Sequence, residues 1–497
     1  MQTPNLLPRS CHRRRCRRPF AGESGRRFAT SILILALNAA PVALATAVAA
    51  EPPVALPTRG GPNAPPGAPP ADDCAVLPTP ALTWATARER LTRCNRDLRM
   101  ALRAMDAAGA DILTASQRPN PVLSMGAESI SPASGIGSGP PLDKQIDYKA
   151  RIDQTIERGG KRDLRVESAE QAFRAASWAA ADSLRQKQLA LANAWIDLWG
   201  AQERVALQQE LIELFGRTVD GARRRLKAGD IAVADVSRIE LDLSRAESER
   251  TVAEGELVRA RNLLAVLLTM EPLARSLRAT EPWPATARGE PGRTPGVDGS
   301  SSAPTGQRPD LLAARAQSAA ADARRRLARS QQTRDVTVGL QTERYAPPAG
   351  IGWSFGVFFA VPLFISHNSE GEIARAQADR DIAEQTALKL EREAYADRQR
   401  LLDVRDAARA RRDRIERDSL PLARKVAADA DLGFRKGAGT VLELLDSLRQ
   451  LRALQLDSLG ARLDDDRSDA AARAEMLTPG SENDPVFGEA LRWQPNR

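Results

Sequence analysis

The sequence predicts a mainly α-helical chain with a small β part, in which one unit of helix, β-hairpin and long helical hairpin occurs twice. Three observations carry this. Residues 161–227 contain no proline and space apolar residues helically, as at Leu191, Trp195 and Leu198. Short segments on either side of residue 347 alternate with period two. Matching motifs recur at offsets of 207 to 214 residues.

The first 50 residues stand apart. Arg13, Arg14, Arg15, Arg17, Arg18, Arg26 and Arg27 precede an apolar run ending in Ala45-Thr46-Ala47-Val48-Ala49-Ala50. This is the layout of a secretory signal peptide. An uncleaved anchor is the competing reading, and Asn38, Pro41 and the small-residue end count against it. The segment holds eight Arg and one acid, so the chain's net charge of +8 falls to +1 for the remainder. The high pI is therefore no footprint for nucleic acid, and no nucleic-acid partner is expected.

Residue counts remove further classes. Of two His, His12 is in the leader, so the body has only His367. A His-rich zinc site is excluded, and a Ser-His-Asp triad could use only that residue. No cofactor, resident metal or enzymatic activity is expected. In an exported chain Cys74 and Cys94 read as one disulfide tying the N-terminal segment to the first helix, with two free thiols as the alternative.

Residues 51–80 are a Pro/Gly-rich lead-in, 272–306 a second such linker, and 478–497 a tail. They delimit repeats at 81–271 and 307–477. The first runs through a helix at about 82–117, strands at about 121–130 and 147–156, and a long helix over 161–227. A turn at Gly229 leads to a return helix carrying Val236, Ile239 and Leu243. The second runs through a helix at about 308–332 and strands at about 335–345 and 353–363. A long helix over about 371–433, which Pro421 should kink, then turns at Gly437 and Gly439 into a helix with Leu444, Leu448 and Leu451. Asn95-Arg96-Asp97-Leu98 matches Arg308-Pro309-Asp310-Leu311, and Leu226-Lys227-Ala228-Gly229 matches Phe434-Arg435-Lys436-Gly437.

Four strands cannot close a barrel, for which about eight are needed. They form an open sheet or are completed by other protomers. Trp353, Phe355, Val357, Phe359 and Val361 share one face, and Tyr345 and Phe364 lie at strand ends. That fits the girdles of a membrane barrel, with a small sheet in a soluble core as the alternative.

The chain resembles the TolC-like outer-membrane efflux family over about residues 80–477. The likeness rests on Arg118-Pro119-Asn120-Pro121, on Gln154 through Arg162 (QTIERGGKR), on Arg308-Pro309-Asp310-Leu311, on Val361-Pro362-Leu363-Phe364 and on Glu370 through Ala376 (EGEIARA). The Gly-Gly-Lys-Arg variant is most similar to the CzcC-like heavy-metal branch. The resemblance implies a homotrimer in outer-membrane lipid, with a twelve-strand barrel and a periplasmic α-helical tunnel. It implies docking onto a periplasmic adaptor (membrane fusion) protein and an inner-membrane pump of RND type. The implied function is a passive exit duct for divalent heavy metals, with drug, solvent or polypeptide export as alternatives. A secreted coiled-coil scaffold without a pore is the rival outside the family.

The same resemblance assigns residues. Lys227, Gly229, Asp230, Lys436, Gly437 and Gly439 would lie at the adaptor-contacting tips. Asp235, Glu443 and Asp446 would line the tunnel entrance, the last two forming a ring of six carboxylates in a trimer. An acidic ring favours cations, while acids near a helix N-terminus are favourable in any case. Some relatives carry a gating Tyr and Arg where this chain has Phe434 and Gly439, which leaves Arg435 and Lys436 as nearby cations.

Overall fold

In the computed structural model, Cys74, Gly135, Gly137 and residues 80–130, 144–283, 307–345 and 352–476 are described. The expected signal peptide, nearly all of the expected lead-in, most of the linker and the tail lie outside these residues.

The first copy comprises α1 (Trp84–Cys94), α2 (Arg96–Ser116), β2 (Val122–Glu128), β3 (Asp147–Ile156), α3 (Lys161–Lys227) and α4 (Val233–Leu268). The second comprises α5 (Pro309–Ser330), β5 (Val336–Tyr345), β6 (Gly352–Ala360), α6 (Glu370–Arg414), α7 (Leu420–Arg435) and α8 (Val441–Met476). Between the copies the described residues run as far as Trp283. There β4 (Arg278–Ala279) pairs in parallel with β1 (Ala81–Leu82).

Two expected elements differ in detail. The helix expected over 82–117 breaks at Asn95, whose backbone is extended and whose side chain caps α2 by accepting from the Leu98 amide at 3.1 Å. The long helix of the second copy does not simply kink at Pro421. A π turn, Ile415–Ser419, precedes it, and the Leu420 N–H donates to the Ile415 carbonyl. The extra residue in that turn absorbs the donor that proline lacks.

Heptad spacing packs the hairpins. Ile239, Ala246, Ala253 and Ala260 are all buried on α4, and Leu184, Leu191 and Leu198 on α3. Above them Trp84 packs edge-on against Trp195 at 5.9 Å and Trp283 at 6.3 Å. Cys74 and Cys94 are joined in a disulfide. Beside it Arg90 donates to the carbonyls of Leu268 and Thr269 at 3.0 Å and of Cys74 at 3.1 Å. Asn95 donates to Leu267 at 3.0 Å, so the orphan acceptors at the end of α4 are filled.

An ionic clamp joins α5 to α8. Arg308 grips Asp310 with two hydrogen bonds, 2.7 and 2.6 Å, and reaches Glu475 of α8 at 2.9 Å. Arg185 of α3 approaches the other Glu475 oxygen at 3.8 Å. Burial pushes the Asp310 carboxyl up, but the Arg308 bonds and charge and the Leu311 amide outweigh it, so its pKa lies below the usual value. This explains the Arg-Pro-Asp-Leu motif as a packing device.

Candidate functional site

The four strands form one antiparallel sheet in the order β2-β3-β5-β6, so the hairpins of the two copies meet at β3 and β5. The register sorts side chains into two faces. One carries Leu123, Ile152, Leu340 and Val357 in a row, with Met125, Phe355, Val338 and Phe359 in flanking rows. These apolar side chains are largely exposed, Phe355 at 83% and Leu340 at 63%. The opposite face carries ion pairs. Lys149 bridges Glu128 at 2.5 Å and Glu343 at 3.4 Å, and Arg151 pairs with Asp153 at 2.8 Å while stacking on Phe358 at 4.6 Å. A sheet apolar on its open side and charged on the other is built for lipid on one face and water on the other. Nine- and ten-residue strands such as β6 and β5 have the length to cross a bilayer when tilted. Among the described residues no helix is long and apolar enough to do so.

The QTIERGGKR motif forms the joint between sheet and helices. Lys161, buried at the start of α3, pairs with Asp335 at 2.8 Å, and Asp335 also accepts from the Arg158 amide at 2.9 Å. Arg165 binds Glu157 through both carboxylate oxygens, which holds Glu157 below the usual carboxylate range against its partial burial.

At the far ends of the hairpins both turns are built alike. Gly229 has φ +81° and Gly437 φ +74°. After α3, Gly229 N–H donates to Leu226 and Asp230 N–H to Arg225; after α7, Gly437 donates to Phe434 and Ala438 to Gly433. Both are Schellman caps, which need the left-handed residue that glycine supplies. Lys227, Asp230 and Lys436 are exposed around them. Gly439 stands against Gly433, where a Cβ would approach the Gly433 and Phe434 backbone to 3.2 Å.

Of the expected entrance acids at the same ends, Glu443 and Asp446 are exposed and Asp235 is half-buried, each with a local partner. Asp235 pairs with Arg238 at 3.0 Å, and Asp446 accepts from Gln450 at 2.8 Å. Glu443 accepts from the Thr440 amide at 3.0 Å while its own amide donates to the Thr440 hydroxyl at 3.2 Å. That is a capping box, legible in Thr440-Val441-Leu442-Glu443. Glu443 and Asp446 share one face of α8, and within one chain no bond joins Asp235 to them.

Phe434 is buried in an apolar cluster with Phe215, Ile239 and Leu444. The cation beside it comes from the other hairpin. Arg225 of α3 donates to the Phe434 carbonyl at 2.7 Å, and its guanidinium lies over the Phe434 ring at 4.7 Å. Arg435 instead pairs with Asp431 on its own helix at 2.7 Å. A turn further along, buried Asp242 of α4 accepts from Arg449 of α8 at 2.7 Å. Asp242 was detectable as an acid inside an apolar stripe (Val236, Ile239, Ala246), whereas nothing local marks Arg225.

Arg225→Ala removes the charged hydrogen bond and the ring contact, together about 2 kcal/mol. Hydrogen exchange across 226–232 and 434–440 should quicken severalfold, with the sheet unchanged. Unaltered exchange at both turns would show that Arg225 does not tie the hairpins together.

Among the described residues no group of three or more His, Cys, Asp or Glu is placed to hold a metal ion. His367 is exposed, 3.2 Å from Glu372.

Comparison with known proteins follows the same division. The model of the outer membrane efflux protein family matches residues 88–269 and 303–474, one segment per copy. The chain is 26% identical over 392 residues to the cobalt-zinc-cadmium resistance protein CzcC of Cupriavidus metallidurans, covering 76% of this chain and 86% of that protein. It is 28% identical over 286 residues to the nickel-cobalt-cadmium resistance protein NccC of Alcaligenes xylosoxydans xylosoxydans, covering 55% of this chain and 61% of the relative. It shares its fold with the CmeC outer membrane channel of Campylobacter jejuni, with a TM-score of 0.68 at 13% identity over 82% of this chain and 88% of that one.

Proposed function

The chain belongs to the outer membrane efflux protein family, and on that premise we propose that it is the outer-membrane exit duct of a tripartite efflux assembly. The observation that carries this is the two-faced sheet. It has four strands with free edges at β2 and β6, too few to close and unprotected unless other copies pair with them. Three copies supply twelve strands. The helices ask for the same partners, since α6 spans 45 residues and buries only Ala394 within its own chain. In this reading the apolar face meets outer-membrane lipid, the charged face lines a water-filled lumen, and the helical hairpins extend through the periplasm. The Gly229 and Gly437 turns, with Lys227, Asp230, Lys436 and Gly439, then meet an adaptor protein that links the duct to an inner-membrane pump of RND type.

The cargo we assign is divalent heavy-metal cations, from the names of the two resistance proteins it resembles. The duct has no catalytic step; the pump supplies the driving force. Glu443 and Asp446 face the entrance in each copy and enrich cations there. The purified protein should be trimeric in detergent and conduct ions in planar bilayers. A monomeric, water-soluble product overturns the duct. The pair Glu443→Gln and Asp446→Asn should lower the preference for cations over anions. Gln preserves the capping box with Thr440, so the helix start is kept. Unchanged selectivity in that variant removes both residues from the entrance.

A further inference from the structure

The apolar face of the sheet runs from the row Tyr148, Arg344, Trp353 at the hairpin-loop end to the pair Ile156 and Val336 at the helix end. Arg344 is the one charged strand residue on this face, and the chain itself covers it, leaving it 8% exposed. One step past Ile156 and Val336 on the same face, the register sets Arg158 opposite Arg334. The two segments are still side by side there, since the Arg158 amide donates to the Asp335 carboxylate at 2.9 Å. Both arginines are exposed. By the same count Leu363, just past β6, falls opposite Arg334, and Leu363 and Ile365 are 70% and 85% exposed.

Like charges directly opposite each other, with Cβ atoms about 5 Å apart, repel. Among the described residues neither guanidinium has an acid to offset this: Asp335 is taken by Lys161 and Glu157 by Arg165. Arg334 lies instead over the Phe364 ring at 5.5 Å. In bulk water such a pair is tolerated, but the duct places this one at a membrane boundary. Arg158 is ten residues from Tyr148 along the chain of β3, which is about 33 Å of strand. At a barrel tilt of about 40° that gives about 25 Å of membrane height, the height of the apolar band of an outer-membrane barrel. With Tyr148 and Trp353 at one headgroup layer, where such rings commonly settle, the arginines fall in the other. The helices make that layer the periplasmic leaflet. Its anion is phosphate, which matches arginine's planar fork. A doubly positive site beside exposed Leu363 and Ile365 fits the head and the chain of one lipid. A net negative headgroup suits it best, because the amine of a zwitterionic one brings a third positive charge.

We propose that Arg158 and Arg334 together bind the phosphate of an anionic phospholipid in the periplasmic leaflet, at the rim of the sheet's apolar wall. This rests on the duct reading, and the experiment separates the two. Full-length protein is placed in vesicles of phosphatidylcholine and phosphatidylglycerol in equal parts. Insertion is read by conductance, and the lipid retained after detergent extraction by native mass spectrometry. Wild type should retain phosphatidylglycerol about tenfold over phosphatidylcholine, the size of one charge-assisted hydrogen bond. R158Q and R334Q should each insert and conduct yet lose most of that preference. R158E sets an acid opposite Arg334. It should lose the preference entirely and, in lipid-free detergent, unfold at a higher temperature than wild type, because attraction replaces repulsion. Millimolar inorganic phosphate should leave the retained lipid in place. If wild type conducts but retains both lipids equally, or R158E keeps the preference, the lipid site is wrong and the duct stands. A lower unfolding temperature for R158E shows that the two side chains do not face each other and overturns the site as well. Displacement by inorganic phosphate makes this a free-anion site and also overturns the proposal. Failure of wild type to insert overturns the duct and the lipid site with it.

Discussion

Leu340→Arg should abolish insertion of the protein into lipid, while Ser354→Arg should leave it nearly intact. Leu340 is at the middle of the sheet, in register with Ile152 and Val357 on the exposed apolar face. An arginine at the bilayer midplane of a barrel costs about 2–4 kcal/mol. In a trimer the cost is incurred three times, since each copy carries the substitution. Ser354 lies on the opposite face, paired across the strands with Glu343, so the same charge meets an acid and water. Flotation with liposomes, followed by trimer yield, reads the difference. Equal insertion of both variants, or equal failure, would mean that the two faces do not divide lipid from water.

Arg308→Met should destabilise the helical part by about 3–5 kcal/mol, the usual penalty for removing one partner of a buried pair. The substitution strands Asp310 and Glu475, whose side chains are 19% and 9% exposed. Denaturant unfolding in detergent measures it. The pH dependence has a definite sign. The folded Asp310 pKa is depressed, so its stabilisation is present above the unfolded value, about 4, and is lost as pH falls through the lower folded value. In Arg308→Met, burial acts on Asp310 with less opposition and the carboxyl is raised, so mild acid should relieve part of the damage. Adding Asp310→Asn and Glu475→Gln should recover much of the loss. A cost below about 1 kcal/mol with an unchanged pH profile would show that the clamp does not hold α5 to α8.

Much of this architecture is written in local pattern. The helix over 161–227 is found at Lys161–Lys227, and the strand over 147–156 at Asp147–Ile156. Both rest on periodicities that any ten to fifteen neighbouring residues reveal. The two glycine turns were equally legible, because a left-handed cap selects its residue locally. Boundaries slipped where a side chain reaches a distant partner. Asn95 ends α1 while also binding Leu267, 172 residues away. The strand expected to reach residue 363 ends at Ala360, with Thr337 as its last partner on β5.

The candidate site divides in the same way. Glu443 and Asp446 share a face through their spacing of three, which is a property of any helix. The contacts Arg225–Phe434, Asp242–Arg449 and Arg308–Glu475 join residues 209, 207 and 167 apart in sequence. Residue pattern alone yields the element order, the duplication, the alternation of each strand and the near-neutral charge behind a basic leader, because each follows from short-range geometry or from counting. The meeting of two hairpins at Arg225, the ionic clamp at Arg308 and the lone charge of Arg344 on an apolar wall depend on the register and packing of distant segments. Only the folded chain sets that register, since a side chain's partners across an interface are chosen by where whole helices and strands come to rest.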